Sequence, residues 1–299
     1  MKINTDIDTK IRFSRQLPIS TSPYIQGSEK IYATGNFGEI ISQKISENKY
    51  SFWYSVYNAI VDSTIYIHKE SDWLGFRLML KNDLCHTMNG KEEIYLKQGQ
   101  FNFVYLPMSE SSFTVKKSQS YCVFDMCIDK CFLFKLREKL PIAFITAVER
   151  NSPKLLFSNA CWSNVYILDT IELLMCSPRN EDIAITLIKQ VLDSAANKKE
   201  KIPITSSQNL AICSVRDIIK QNLSSHISIK ELAKRTGINT WLLKNGFHQV
   251  FDKTPYQYLL YERLKFVKTL LQKTDFTIQY IAEQTGFSSA ASLVTQVYP

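Results

Sequence analysis

Thr240, Trp241, Lys244, Asn245 and His248 stand at offsets of 0, 1, 4, 5 and 8, a spacing that gathers side chains on one face of an α-helix. Their chemistry suits a nucleic-acid groove. Lys244 and Asn245 bring donors and acceptors that can read base edges, and Trp241 brings an apolar surface for thymine methyls or sugar. The competing reading is an ordinary solvated face, and it leaves an exposed tryptophan to be explained. A second set, Ser288, Ser289, Ala290, Ser292 and Thr295, occupies matching positions in a related segment. These residues are small, so phosphate contact and groove fit suit them better than strong base readout.

The elements that must position both sets are written twice. Residues 227–238 read ISIKELAKRTGI, and residues 276–287, 49 positions on, read FTIQYIAEQTGF. In each, a hydroxyl residue (Ser228, Thr277) stands where a helix begins and offers oxygen to the unpaired N–H groups of the first turn. Glu231, three residues after Ser228, predicts a capping box. An apolar residue and an alanine follow (Leu232 and Ala233; Ile281 and Ala282), then a glycine four residues after the alanine (Gly237, Gly286). The alanine lets a second helix cross closely, and the glycine ends the first helix in a left-handed turn. Asn239 caps a second helix to about Phe251, whose Leu243, Phe247 and Val250 share the opposite, apolar face. One such hairpin is common structural material. Two copies with matching caps, alanines and glycines point to a pair of helix-turn-helix units.

Thr254-Pro255 is an N-cap followed by proline at the first helical position. The pattern then stays helical to about Gln272, roughly 27 Å at 1.5 Å per residue. With the width of the flanking units, such a helix sets two recognition helices about one DNA turn, roughly 34 Å, apart.

From about Asn209 to Pro299 the chain resembles the AraC/XylS (arabinose-regulator) family of bacterial transcription factors. The likeness rests on LAKRTG, on the phenylalanine and Thr-Pro of GFHQVFDKTPYQYL, on RLKFVKTLLQKTD and on IAEQTGFSSAASL. The resemblance implies a seven-helix DNA-binding domain with two helix-turn-helix units behind a sensor or dimerisation domain. The chain departs from the family at three places. Asp252 replaces a usual glycine, a change that Asp tolerates in the left-handed region. Asn245 stands where many members carry arginine. Val297 replaces a usual phenylalanine, and the family's closing helix is absent before Pro299, so Leu293 and Val297 are expected to be under-buried and the second unit, as a truncated domain, loose.

Charge agrees with a DNA partner. Of the +8 on the chain, +5 falls on residues 205–299, with 11 Lys+Arg against 6 Asp+Glu. The composition, 45% hydrophobic over 299 residues, supports two packed cores. The first 30 residues lack a signal pattern and no run approaches 18 apolar residues, so a cytoplasmic protein without membrane partners is expected. Seven cysteines, an odd number without CxxC spacing, read as reduced core residues.

The first half predicts strands between about Lys30 and Ile128. Leu74, Phe76, Leu78 and Leu80 alternate with Gly75, Arg77 and Met79, as Phe101, Phe103 and Tyr105 do with their neighbours. The expected fold class is α+β: a β-barrel or jelly-roll-like sensor of the cupin type over residues 1–130, a helical dimerisation and connecting segment over 131–196, a linker over 197–208, and an all-α domain over 209–299. The cupin assignment leans on the family resemblance. Helices are expected around Cys131–Leu140, Trp162–Met175 and Glu181–Ala196. In the last, Ala184, Leu187, Ile188, Val191 and Ala195 form one stripe that can dock on its own barrel or on a second subunit. The aromatic load, Trp53, Phe76, Phe101, Phe103, Tyr105, Phe113 and Phe124, either lines an effector pocket or fills the core. His68 and His86 are the only histidines of this half, too few for a metal-binding cupin, and GxSxG, HExxH, P-loop and GxGxxG are missing. No metal, cofactor or enzymatic activity is expected. The reading is a transcription regulator that binds double-stranded promoter DNA, is controlled by a small effector, forms a homodimer and, as an activator, engages RNA polymerase. The rival is a sensing and dimerisation protein that has lost DNA binding through its second unit. A fused alkyl-transfer repair module needs zinc-binding cysteines near the start, and the first 84 residues contain none.

Overall fold

The computed structural model describes residues 2–7, 11–68, 71–88, 92–107, 110–136, 138, 140–194 and 202–297. Two compact units divide the chain, Met1–Lys199 and Glu200–Pro299. The first five residues of the expected linker, 197–201, lie outside the described residues. Its end does not remain a linker: Thr205 caps a helix that starts at Ser206, and a capping box with Gln208 closes both ways.

The first unit is built on two antiparallel sheets. The smaller runs in the order β1 (Lys2–Thr5), β6 (Ser63–His68), β11 (Glu110–Val115), β8 (Leu84–Met88), β9 (Glu92–Leu96). The larger runs β13 (Lys154–Leu155), β10 (Gln100–Leu106), β7 (Trp73–Lys81), β12 (Ser120–Ile128), β5 (Tyr50–Ala59), β4 (Gly38–Ser46), β3 (Glu29–Gly35), β2 (Arg12–Ser14), and β14 (Cys161–Trp162) also pairs with β10. The sheets face each other as a jelly-roll-like sandwich. The expected barrel does not close among the described residues.

The large sheet is buried on both faces. Along β12, Tyr121 and Val123 join the core between the sheets, while Phe124 and Met126 join a second core beneath the helices. Along β10, Val104 and Leu106 face the small sheet, and Phe101, Phe103 and Tyr105 face the helices. The period of 2 in the sequence is therefore a division between two apolar layers, not between core and water.

Four helices cover that second face: α1 (Lys130–Lys135), α2 (Ile142–Glu149), α3 (Val165–Cys176) and α4 (Glu181–Asp193). Helix α1 ends at Lys135, short of the expected Leu140, and α2, which the sequence does not announce, starts after its N-cap Pro141. Trp162, expected in a helix, is in β14, and α3 starts only after Asn164, whose side chain accepts from the Ile167 N–H at 3.0 Å. The α4 stripe of Ala184, Leu187, Ile188 and Val191 is completely buried in this unit's own core, so it is not the dimer surface offered as one alternative. Ala195 lies outside the described residues.

The second unit is all helix: α5 (Ser206–Gln221), α6 (Ile229–Thr236), α7 (Thr240–Phe251), α8 (Pro255–Lys273), α9 (Ile278–Thr285) and α10 (Ala290–Val297). These are six helices among the described residues, against the seven implied by resemblance.

Candidate nucleic-acid interface

Each helical hairpin is fixed by local chemistry. Ser228 Oγ accepts from Glu231 N–H at 3.2 Å and starts α6; Gly237, with φ 69° and ψ 21°, ends it. The Ile238 N–H donates to Ala233 O at 3.2 Å and closes the turn. Asn239 Oδ1 accepts from Leu242 N–H at 2.8 Å and starts α7. The second copy repeats these steps. Thr277 caps α9, Gly286 ends it at φ 81° and ψ 20°, and Phe287 N–H donates to Ala282 O at 2.9 Å. Each cap stabilises its helix by about 1 kcal/mol. One detail differs from expectation: Glu231 does not return to cap Ser228, because its carboxylate takes Arg235 Nε at 2.8 Å instead. That pairing holds the Glu231 carboxyl below its ordinary pKa.

The inner face of α7 packs Leu242, Leu243, Phe247, Val250 and Phe251. Phe247, Phe251 and Tyr258 of α8 form an aromatic cluster with centroids 4.6 to 5.7 Å apart. On its other side Gly246 lets α5 come close, since a Cβ there would stand 2.5 Å from Ile212 Cδ1. Gln249 clamps the chain before α5, accepting from Ile202 N–H at 2.8 Å and donating to Ile202 O at 3.1 Å. Asp252 takes the left-handed conformation at the end of α7, φ 55°.

With the inner face so committed, Thr240, Trp241, Lys244, Asn245 and His248 are all exposed together, and Trp241 keeps 61% of its surface open. Asn245 is not wholly free, since its Nδ2 donates to Trp241 O at 2.9 Å. In the second unit Ser288 and Thr295 are exposed, and Ser289, Ala290 and Ser292 are half-buried. Two hydroxyls there already serve the helix: Ser289 Oγ accepts from Ser292 N–H at 3.1 Å, and Thr295 Oγ1 donates to Ala291 O at 2.9 Å. The start of α10 has a further support that the sequence reading missed. Gln279 Oε1 accepts from Ala290 N–H at 3.3 Å while its Nε2 donates to Glu283 at 2.7 Å.

The expectation of an under-buried second unit holds at one of its two named residues. Leu293 is 2% exposed, packed with Val267, Ile281, Ala282 and Phe287. Val297 is 41% exposed.

In the first unit six of the seven aromatics expected at an effector pocket are core side chains. Phe76, Phe101, Phe103, Tyr105 and Phe124 are sealed between the large sheet and its helices, Phe113 fills the core between the sheets, and Trp53 lies outside both, near Lys44. A separate hollow between the sheets is lined by Trp73, Arg77, His86, Asn102 and Val104. Arg77 pairs with Asp125 through Nε and Nη2 at 2.7 and 2.8 Å, and its Nη1 has no partner there. The hollow offers about 30 Å³, room for about two water molecules. A roomier apolar groove of about 240 Å³ lies instead in the second unit, between the end of α5, the start of α6 and Tyr256 of α8. Among the described residues no group of three His, Cys, Asp or Glu is placed to hold a metal, and no helix is long and apolar enough to cross a membrane.

Two capped helix-turn-helix hairpins joined by one 19-residue helix make the second unit a double helix-turn-helix domain. A family model described as a helix-turn-helix domain matches residues 232–297. The multiple antibiotic resistance protein MarA of Escherichia coli (strain K12) is 29% identical over 84 residues, 28% of this chain and 66% of that protein; MarA of Salmonella typhimurium matches equally. The chain thus spans just under two thirds of the length of these relatives. The family-model match falls within residues 209–299, the stretch whose motifs resemble the AraC/XylS family. Among solved structures, the DNA-binding domain of AdpA, a global transcriptional factor in complex with a target DNA, is 21% identical and covers 29% of this chain and 78% of that one, TM-score 0.28. Unsaturated fatty acid-bound ToxT from Vibrio cholerae is 16% identical and covers 84% and 92%, TM-score 0.34.

Proposed function

We propose that this chain is a cytoplasmic transcription regulator that binds promoter DNA through its second unit and is controlled through its first. The observation that carries the reading is the undivided exposure of Thr240, Trp241, Lys244, Asn245 and His248 on a helix whose opposite face is locked into the core. In this reading α7 enters the major groove, Lys244 and His248 meet base edges or phosphate, and Trp241 packs on thymine methyls or sugar. The second recognition helix, α10, has no charged residue. Ser288, Ser289, Ala290, Ser292 and Thr295 then serve groove fit and phosphate, and α7 supplies most of the sequence preference.

Control by a small effector is proposed from the division into a β-rich unit and a DNA-binding unit, and rests on analogy with the family. Of the aromatic set, all but Trp53 are core side chains. Dimerisation is proposed on a surface other than the α4 stripe. Tyr166 and Leu173, seven residues apart on α3, are 47% and 57% exposed and offer one. Contact with RNA polymerase belongs to the activator form of the proposal.

The test is selection of duplexes from a randomised pool by the full chain, repeated with Lys244→Ala. Enrichment of one sequence by the wild type, altered or lost in the variant, is the expected result. Recovery of unenriched duplexes alone would remove the regulator reading and favour a protein that senses and pairs without reading DNA.

A further inference from the structure

One basic residue of the linker helix α8 is turned into the domain. Arg263 Nε donates to Leu223 O at 2.7 Å and Nη2 to Ser225 O at 3.4 Å, both in the turn that leads from α5 into the first helix-turn-helix. The same guanidinium lies over the ring of Phe287, 5.8 Å from its centroid, just past the turn of the second helix-turn-helix. The backbone of that turn comes equally near. A Cβ on Gly286 would stand 2.6 Å from Arg263 Nη2 and 2.7 Å from Ser224 O. The lead-in of the first unit, the linker helix and the turn of the second unit therefore meet at one side chain.

The contact is costly to keep. Burial pulls the Arg263 pKa below its ordinary value, opposed by the nearby Tyr256. A planar fork can satisfy two carbonyl oxygens and stack on a ring at once; a lysine, a compact point charge on a flexible stem, cannot reproduce that set. Without such a tie α9 and α10 are joined to the rest mainly through α8 and the segment after it, and a rigid helix does not by itself fix rotation about its own end.

We propose that Arg263 is a positioning residue that fixes the separation and rotation of the two recognition helices, and so sets the half-site spacing the domain accepts. The proposal rests on the DNA-binding reading above, with both units engaged. Moving half-sites by one base pair shifts them about 3.4 Å along the duplex and about 35° around it, from a repeat of 10–10.5 base pairs per turn. A domain held by the Arg263 contact cannot follow that shift, and one freed of it can.

The test uses the full chain and the duplex that the wild type selects, with its two halves moved by one and by two base pairs either way. Wild type is expected to lose at least tenfold in affinity per step. Arg263→Met is expected to vary less than threefold across the series with base preference in the first half-site unchanged, and Arg263→Lys to resemble Arg263→Met. Gly286→Ala, which pushes on the same contact from the other side, is expected to flatten the series as well. A readout without DNA accompanies these: the distribution of distances between labels carried by unnatural amino acids at Asn245 and Gln296, narrow in wild type and broadened in Arg263→Met. An equal loss at every spacing with an unchanged distribution would overturn the proposal and leave Arg263 as fold support only, and so would retention of the wild-type spacing preference. If wild type selects no duplex, the DNA-binding reading fails, and the distance distribution still decides whether Arg263 holds the helices.

Discussion

Gly237 and Gly286 hold the same place in the two repeats, yet alanine should cost very different amounts at each. Both adopt the left-handed conformation, at φ 69° and 81°, and forcing alanine into it costs about 1–2 kcal/mol. At Gly237 nothing lies within 4 Å of the added Cβ, so the backbone penalty is the whole effect. At Gly286 the Cβ meets Arg263 Nη2 at 2.6 Å and Ser224 O at 2.7 Å. The arginine can swing away, but the carbonyl belongs to the backbone and moves only with the α5–α6 turn. Overpacking of this kind adds about 1–3 kcal/mol, for a total of about 2–5 kcal/mol. Hydrogen exchange of the full chain, followed on peptides from each hairpin, separates the two sites. Gly237→Ala should raise exchange across residues 228–251 by about tenfold, and Gly286→Ala should raise it across 277–297 by about a hundredfold or more, at about 1.4 kcal/mol per factor of ten. Equal effects in the two hairpins, or a milder one at Gly286, would refute the close approach on which the difference rests.

In the first unit, Asp125→Ala should cost about 3–5 kcal/mol by leaving the buried Arg77 charge without its carboxylate; Arg77→Met/Asp125→Leu should regain most of it, as read by urea unfolding. Brief alkylation of the native protein at pH 8 should mark the exposed Cys131 and Cys176 well before Cys122, whose thiol is pushed up to about 11 by burial, and before the buried Cys161 and Cys213, as peptide mapping would show. Tyr166→Glu/Leu173→Glu should shift any dimer towards monomer in sedimentation equilibrium without changing the melting temperature by more than about 2 °C, since both side chains are exposed.

The helix-turn-helix unit was legible because its signals are local. A cap, an alanine and a left-handed glycine act within one turn of helix, so Ser228, Ala233, Gly237 and Asn239 could be placed from spacing alone, and Thr254-Pro255 marked the start of α8. Where a second partner competes, spacing misleads: Glu231 is three residues from Ser228, but Arg235 is one helical turn away with a full charge. Arg263 and Gln279 act across elements distant in sequence, and a lone arginine or glutamine on a helix announces nothing of the kind. In the first unit alternation gave strands but not their layers. Phe101, Phe103 and Tyr105 alternate with Asn102, Val104 and Leu106, and both sets are buried, so the sequence could not say which face met helices and which met a second sheet. For the same reason an aromatic cluster that fills a core was indistinguishable from one that lines a pocket.

The measurement that bears most directly on the central claim is a titration of the full chain against its selected duplex and a scrambled one, across a salt series, beside Lys244→Ala. Wild type should prefer the selected duplex by at least a hundredfold at physiological salt. Lys244→Ala should lose about 1–3 kcal/mol on the selected duplex if Lys244 reads a base, or about one unit of salt slope on both duplexes if it meets phosphate. Equal affinity of wild type for both duplexes, untouched by Lys244→Ala, would contradict the assignment of α7 as a recognition helix.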